Sequence, residues 1–158
     1  MFTQCSLKPK LKETNIKIHV KIVDQLESNC FETLEDSYYF AYIELSNNTD
    51  SVFQFWTMTC SWQDNWVFET GSIFLYYRDC TRNFPKLIQI KPGEKKVYRS
   101  IICTKASTIS IKGKDLKLGL VTINKGEIAE DVDFHKVLKD KIKNKKDIIW
   151  SESFKIDK

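Results

Sequence analysis

Residues 53–68 read Phe53-Gln54-Phe55-Trp56-Thr57-Met58-Thr59-Cys60-Ser61-Trp62-Gln63-Asp64-Asn65-Trp66-Val67-Phe68. Followed on to Tyr77, this stretch holds nine of the twenty aromatic residues of the chain, including three of its four tryptophans. So much ring surface has to dominate either the core or a binding face. Aromatic and β-branched residues run to Met58, a polar break follows at residues 61–65, and the aromatic run resumes at Trp66. That is the pattern of short strands, not of helices.

Working outward, residues 16–22 alternate apolar and polar without a fault, which predicts a half-buried strand with Lys17, His19 and Lys21 on its wet face. Residues 24–36 are polar and acidic and read as a loop. Residues 38–46 begin apolar on both faces, Tyr39 and Ala41 on one, Tyr38, Phe40 and Tyr42 on the other, so this strand is expected to be central or covered on both sides. Asn47-Asn48-Thr49-Asp50 is a turn signal and predicts a hairpin into residues 52–58. Asn47-Asn48-Thr49 also matches a glycosylation sequon, a pattern common by chance in polar turns.

Thr70-Gly71 turns residues 66–69 into residues 72–79. Folding the chain about that turn sets residue 60 nearly opposite residue 81, which brings Cys60 and Cys80 within disulfide reach. Pro92-Gly93-Glu94 predicts a type II turn joining residues 86–91 to 97–103 as a further hairpin. Residues 116–123 form another strand, entered at Gly113 and left at Asn124-Lys125-Gly126. Helical spacing appears over residues 130–143, where Phe134, Val137, Leu138 and Ile142 share a stripe. Glu130, Asp131 and Asp133 open this helix, lysines crowd its end and Asn144 closes it, in keeping with the helix dipole. A last strand over residues 148–156 shows Ile148, Trp150, Phe154 and Ile156 on one face.

Eight or nine short strands with turn signals every 8–12 residues or so point to a two-sheet antiparallel sandwich. The division is an N-terminal extension, residues 1–15, and a single domain, residues 16–158. The Asn-rich turn, the Lys-Pro-Gly-Glu turn at residues 91–94 and the Cys/Trp cluster resemble those of bacterial immunoglobulin-like β-sandwich proteins. The resemblance implies an all-β, immunoglobulin-like sandwich, with one short amphipathic helix before the last strand as a departure from the usual pattern. Such folds commonly serve adhesion, assembly or binding, and the fold alone assigns none of these.

At 158 residues the chain is long enough to bury a core without staples, and 42% apolar with 29% charged residues is ordinary for a folded soluble protein. No apolar run reaches the length of a membrane-spanning helix. The net charge of +4 is concentrated: residues 136–146 hold six lysines and one aspartate, and the rest is nearly neutral. The lysine run reads as a solvated helix end, and no aromatic residues interleave with it as base stacking on a nucleic acid requires. No nucleic-acid partner is expected.

The five cysteines, Cys5, Cys30, Cys60, Cys80 and Cys103, contain no CxxC pair. Two readings stand. All five are reduced in a cytoplasmic protein, or Cys60 and Cys80 are bridged in an oxidising compartment, periplasmic or secreted. No signal peptide is visible, and Phe2-Thr3-Gln4-Cys5 is a poor match to a lipoprotein processing site because Gln4 is not small.

For chemistry the chain offers two histidines, His19 and His135, and a Cys80 flanked by Arg78, Asp79 and Arg82. No phosphate loop, nucleophile elbow or zincin helix occurs. A non-enzyme without cofactor or metal is therefore expected, unless His135, Cys80 or a carboxylate pair converges in a pocket. The candidate binding residues are Trp62, Gln63, Asp64, Asn65 and Trp66, where two indoles bracket a polar loop. They suit a protein partner, as in an accessory or inhibitor-like module of the cell envelope, or a sugar ring in a carbohydrate-binding module. The opposing reading puts Trp56 and Trp66 in the core and lays Trp62 over one end.

Overall fold

The alternating run that opens at Ile16 forms strand β1 (Ile16–Leu26), with Ile16, Ile18 and Val20 buried and Lys17, His19 and Lys21 exposed. The computed structural model describes residues 15–28, 31, 37–77, 80–105, 111–128 and 132–157. Within them follow β2 (Ser37–Asn47), β3 (Phe53–Met58), β4 (Trp66–Phe68), β5 (Ile73–Tyr76), β6 (Pro85–Ile90), β7 (Lys95–Thr104), β8 (Leu118–Val121), α1 (Phe134–Lys143) and β9 (Ile148–Trp150). The fold is mostly β, antiparallel throughout its ladders, with one α-helix among the described residues. Residues 1–14 of the extension, with Cys5, and Cys30 lie outside the described residues.

Four strands form one sheet in the order β1-β2-β7-β5. As its two apolar faces suggested, β2 is central, paired with β1 from Ile16↔Asn47 to Leu26↔Tyr38 and with β7 from Ser37↔Thr104 to Ser46↔Lys95. A register shift between Ile22 and Asp24 bulges β1, which carries the strand past residue 24 into the expected loop. The inner face of this sheet presents Ile18, Tyr39, Ile43, Leu45, Leu75 and Ile102. Facing them are Phe55, Ile88 and Ile90 of a β3-β6 pair, and Trp66, Phe68, Leu118 and Leu120 of a β4-β8-β9 sheet. Each such side chain contributes about 1.5–3 kcal/mol by leaving water.

The turns are where expected, but the strands they join do not pair with each other. Asn47 ends β2 in the four-stranded sheet, and β3 enters the opposite layer to pair with β6. Gly93, at φ 74°, turns the chain with Glu94 N–H donating to the Lys91 carbonyl at 3.0 Å, as a type II turn does. It passes β6 in one layer to β7 in the other. Likewise β4 pairs with β8 and β5 with β7, so no hairpin forms about Thr70-Gly71. All three expected hairpins are corners between layers. Asn47 fixes the first corner: its Nδ2 donates to the Ser51 and Ile90 carbonyls at 2.8 and 2.9 Å, while its Oδ1 accepts from Thr49. With 0% exposure and its amide fully engaged, the sequon asparagine is a structural residue.

The outer side of the second layer is covered by α1. Phe134 and Leu138 pack on Met58, Val121 and Ile123, so β8 is buried on both faces. Gly119 lies on that outer side, and a Cβ there would stand 2.5 Å from Ile148 Cγ2 and 2.8 Å from Trp150 Cε3. The helix starts at an Asp133 cap whose side chain accepts from His135 N–H at 2.9 Å, and it ends at Asn144 as its sequence indicated. The last strand is shorter than expected. After Trp150 the ladder gives way to Ser151, whose Oγ accepts from Leu118 N–H at 3.0 Å, and a single bridge joins Leu116 to Phe154.

One lysine of the basic run is not solvated. Lys141 is buried on the helix face turned toward β8. Its Nζ donates to the Thr122 carbonyl at 2.8 Å and to the Glu127 and Asp147 carboxylates at 2.7 Å each. Burial works to raise the Glu127 carboxyl, but bonds from Lys141 and the Asn124 backbone outweigh it and hold it below its usual range. A depressed folded value means this contribution is present above the unfolded carboxylate pKa and lost as pH falls through the folded one. Lys141→Met leaves two carboxylates facing each other and should cost about 3 kcal/mol, the low end for a broken buried pair because both acids still reach water. Chemical denaturation at neutral pH measures the loss, and the gap between variant and parent should narrow in acid.

Candidate functional site

Residues 62–65, Trp62 to Asn65, close into a single 3-10 turn between β3 and β4, with Asp64 N–H donating to the Ser61 carbonyl at 3.0 Å. The turn interrupts what would otherwise be one strand along the edge of β8. Asn65 spans the interruption. Its Nδ2 donates to the Trp56 carbonyl of β3 and the Val121 carbonyl of β8, both at 3.0 Å. Just beyond, Trp56 N–H donates to the Ile123 carbonyl at 2.9 Å. A side-chain amide thus takes the place of a backbone rung, and β3-β6 becomes continuous with β4-β8-β9.

The five candidate residues therefore separate into two groups. Asn65 and Trp66 are buried, one as the rung and the other in the main core. Trp62, Gln63 and Asp64 remain partly exposed above them. Trp62 is half-buried, its ring tilted 33° on that of Tyr98 at 4.9 Å, and Trp66 meets the same ring edge-on at 5.7 Å. Burial under these two indoles pushes the Tyr98 phenol up from its ordinary value. Trp56 faces the helix side, with Met58 and Val121. The indoles serve largely as packing, and the surface that the turn offers a partner is Gln63, Asp64 and one edge of Trp62.

Cys60 and Cys80 form a disulfide with Cα atoms 6.1 Å apart. The pairing is the one expected across a hairpin, yet no hairpin makes it. Asn83 brings the two segments together, accepting from Cys60 and Ser61 N–H at 3.0 and 3.3 Å and donating to Ser61 Oγ at 2.8 Å. Cys103 is buried. A hollow of about 120 Å³ beside the bridge is lined by Cys60, Ser61, Asp64, Cys80, Asn83 and His135. The His135 Nδ1 stands 3.9 Å from Asp64 Oδ2. The convergence that enzyme chemistry calls for is thus met in part, but both sulfurs are bonded to each other and Ser61 Oγ is held by an amide. Among the described residues no three His, Cys, Asp or Glu side chains gather as metal ligands do. No described helix is long and apolar enough to cross a membrane.

A larger hollow, about 390 Å³, opens on the other side of the turn. Gln63 reaches it from the turn, and Phe40, Tyr76, Tyr77, Ile101 and Arg99 line it from the outer face of the four-stranded sheet. That face is aromatic. Phe31 stacks on Tyr38 with centroids 3.8 Å apart, Tyr76 meets both rings edge-on, and Phe40 lies 5.3 Å from Tyr42. Phe74 and Tyr77 are exposed beside it. Residues 38–42 carried the signal for this surface in their second apolar face, which reads equally well as a face destined for a covering layer. Two buried polar atoms among its lining residues, Gln63 Oε1 and Ser100 Oγ, have no hydrogen-bond partner among the described residues.

No protein-family model, curated protein or solved structure matches this chain.

Replacing the rung tests how the turn is held. Asn65→Ala strips the Trp56 and Val121 carbonyls of their donor and should destabilise the protein by about 2–4 kcal/mol, since each buried acceptor left bare costs about 1–3. Asn65→Asp should not rescue it, because a carboxylate donates nothing. The double change Cys60→Ser, Cys80→Ser opens a loop of 20 residues' separation and should cost about 3 kcal/mol while leaving the sheets intact. Urea unfolding of the three variants measures each loss.

Proposed function

We propose that the chain is a non-catalytic protein-binding module of the cell envelope, accessory or inhibitor-like, built on an immunoglobulin-like sandwich. Its strand order supports the fold type. The immunoglobulin sandwich sets strands A-B-E-D against C-F-G. Here β1-β2-β7-β5 is set against β8 flanked by β3 and β4 on one edge and β9 on the other. The disulfide supports a periplasmic or secreted location, where such bonds persist.

The observation that carries the binding reading is the 390 Å³ hollow where the polar turn meets the aromatic outer face of the four-stranded sheet. An apolar centre of Phe40, Tyr76 and Ile101 with Gln63 and Arg99 at its margin has the composition of a protein-contact patch. The indoles give less support to the carbohydrate reading. Sugar rings stack on open, flat aromatic faces, and Trp62 lays its face on Tyr98.

The test is retention of an envelope protein on the immobilised domain, with Gln63→Arg and Asp64→Lys as variants. Both side chains are partly exposed and neither belongs to the hydrophobic core, so both variants should stay folded by circular dichroism. Capture that weakens at least tenfold in both variants supports the reading. Binding to a glycan array in place of a protein, or capture indifferent to both changes, contradicts it.

A further inference from the structure

A third hollow lies on the outer side of the second layer, by the last turn of α1. It measures about 320 Å³, and its lining residues fall in 67–69 and 142–150, inside described stretches of the chain. The cross-strand row Val67, Gly119, Trp150 runs beneath it. Gly119 has no side chain to fill the middle of that row, so Ile148 and Trp150 lean over it. Val67, Ile142 and Ile148 are half-buried, and Trp150 keeps 37% of its surface exposed. These four make the walls apolar. Two charged residues share the lining, Glu69 at the end of β4 and Lys145 past the end of α1. Both are exposed, and neither side chain has an ion pair or hydrogen bond among the described residues.

Lys145 stands where a glycine is expected. The helix closes with Lys146 N–H donating to the Lys141 carbonyl at 2.9 Å and Lys145 N–H donating to the Ile142 carbonyl at 3.2 Å, the Schellman pattern. In that pattern the residue at the Lys145 position is left-handed, here at φ 51°, a conformation that a side chain makes costly. Asp147 is also left-handed, at φ 53°, but its carboxylate accepts from Lys141 at 2.7 Å. No side-chain bond of Lys145 offsets its strain among the described residues, and Lys145 lines the hollow. Strain kept beside a hollow points to a ligand.

We propose that this hollow binds a small zwitterion with an apolar body, the chemistry of a free amino acid or dipeptide with a branched or aromatic side chain. Val67, Ile142, Ile148 and Trp150 take the apolar body. Lys145 donates to the carboxylate, and Glu69 accepts from the ammonium, so both contacts are charge-assisted. Opposite charges on one hollow also select against a molecule carrying only one of them, because one protein charge would be partly covered without a partner. The site shares no lining residue with the hollow at Gln63, so it stands apart from the protein-binding reading.

The probes are L-phenylalanine and the dipeptide leucyl-phenylalanine, titrated into the full chain and followed by NMR of the backbone amides and the Trp150 indole N–H. Phenylpropionate, which lacks the ammonium, and phenylethylamine, which lacks the carboxylate, serve as controls. At least one zwitterion should bind saturably, with shifts gathered at Val67, Glu69, Ile148 and Trp150, and both controls should bind at least tenfold more weakly. The tighter zwitterion shows whether the amino acid or the dipeptide is the source. Lys145→Gly separates a ligand group from a structural one. By relieving the left-handed strain it should raise the melting temperature by about 2–4 °C, and it should weaken zwitterion binding at least tenfold. Glu69→Gln should weaken the zwitterion at least tenfold and leave phenylpropionate unchanged, a readout that does not depend on stability. No saturable shift with either zwitterion, shifts centred elsewhere, or a control that binds as tightly overturns the proposal. So does a Lys145→Gly variant that binds as the parent does or melts lower.

Discussion

The Asn65 amide is the contact on which the second layer depends. The polar turn at Trp62–Asn65 breaks the strand that should run along the edge of β8, and a broken edge leaves carbonyls inside the protein without donors. One fully buried side chain supplies both donors, to Trp56 and to Val121. With it in place, five strands act as one surface against the four-stranded sheet, and the turn above it is held at a fixed height. Ser151 performs a similar service on the other edge of β8, where its hydroxyl accepts from Leu118 N–H as the ladder to β9 ends. The second layer is thus irregular at two points, and in both a polar side chain completes what the backbone does not.

From that layer the rest of the architecture follows. Its inner side seals the main core, and its outer side is closed by α1, whose place is set by Lys141 reaching the Thr122 carbonyl at the end of β8. Among the described residues only Phe31 lies across the outer face of the four-stranded sheet, stacked on a buried Tyr38. That face keeps an aromatic surface that ends, next to the turn, at the edge of β7. The candidate site lies there because the broken strand of the opposite layer brings Gln63 round to meet that face.

Much of this was legible in the residues and some of it was not. Alternation placed β1 and its wet face correctly, and double-sided apolarity placed β2 at the centre of its sheet. The helix was legible from its stripe and its caps. Pairing was not, because alternation says which side chains face inward and is silent on which strand is the neighbour. Hence Asn47-Asn48, Thr70-Gly71 and Pro92-Gly93 read as hairpins and proved to be corners. The Cys60–Cys80 bond, one of two readings of the cysteines, was drawn for a hairpin that does not exist; the pair meets at the end of the β3-β6 ladder, where Asn83 ties the two segments. Asn65 looked like one more polar residue in a binding loop, and Lys141 like one more solvated lysine. A composition pattern gives no sign that a polar side chain is about to serve as a buried donor. The aromatic face of residues 38–42 was visible as apolar, but the pattern does not say what lies against it.

Native-state hydrogen exchange on the unmodified protein tests the central claim most directly. If the amide rung makes one body of the second layer, backbone amides of β3, β6 and β8 should exchange with the same free energy, that of global unfolding, and with the same dependence on denaturant. A β3-β6 pair that opens at distinctly lower free energy than β4-β8-β9 would contradict this. It would mean that the two ladders are separate units lying side by side, and that the turn between them is not held by the layer beneath.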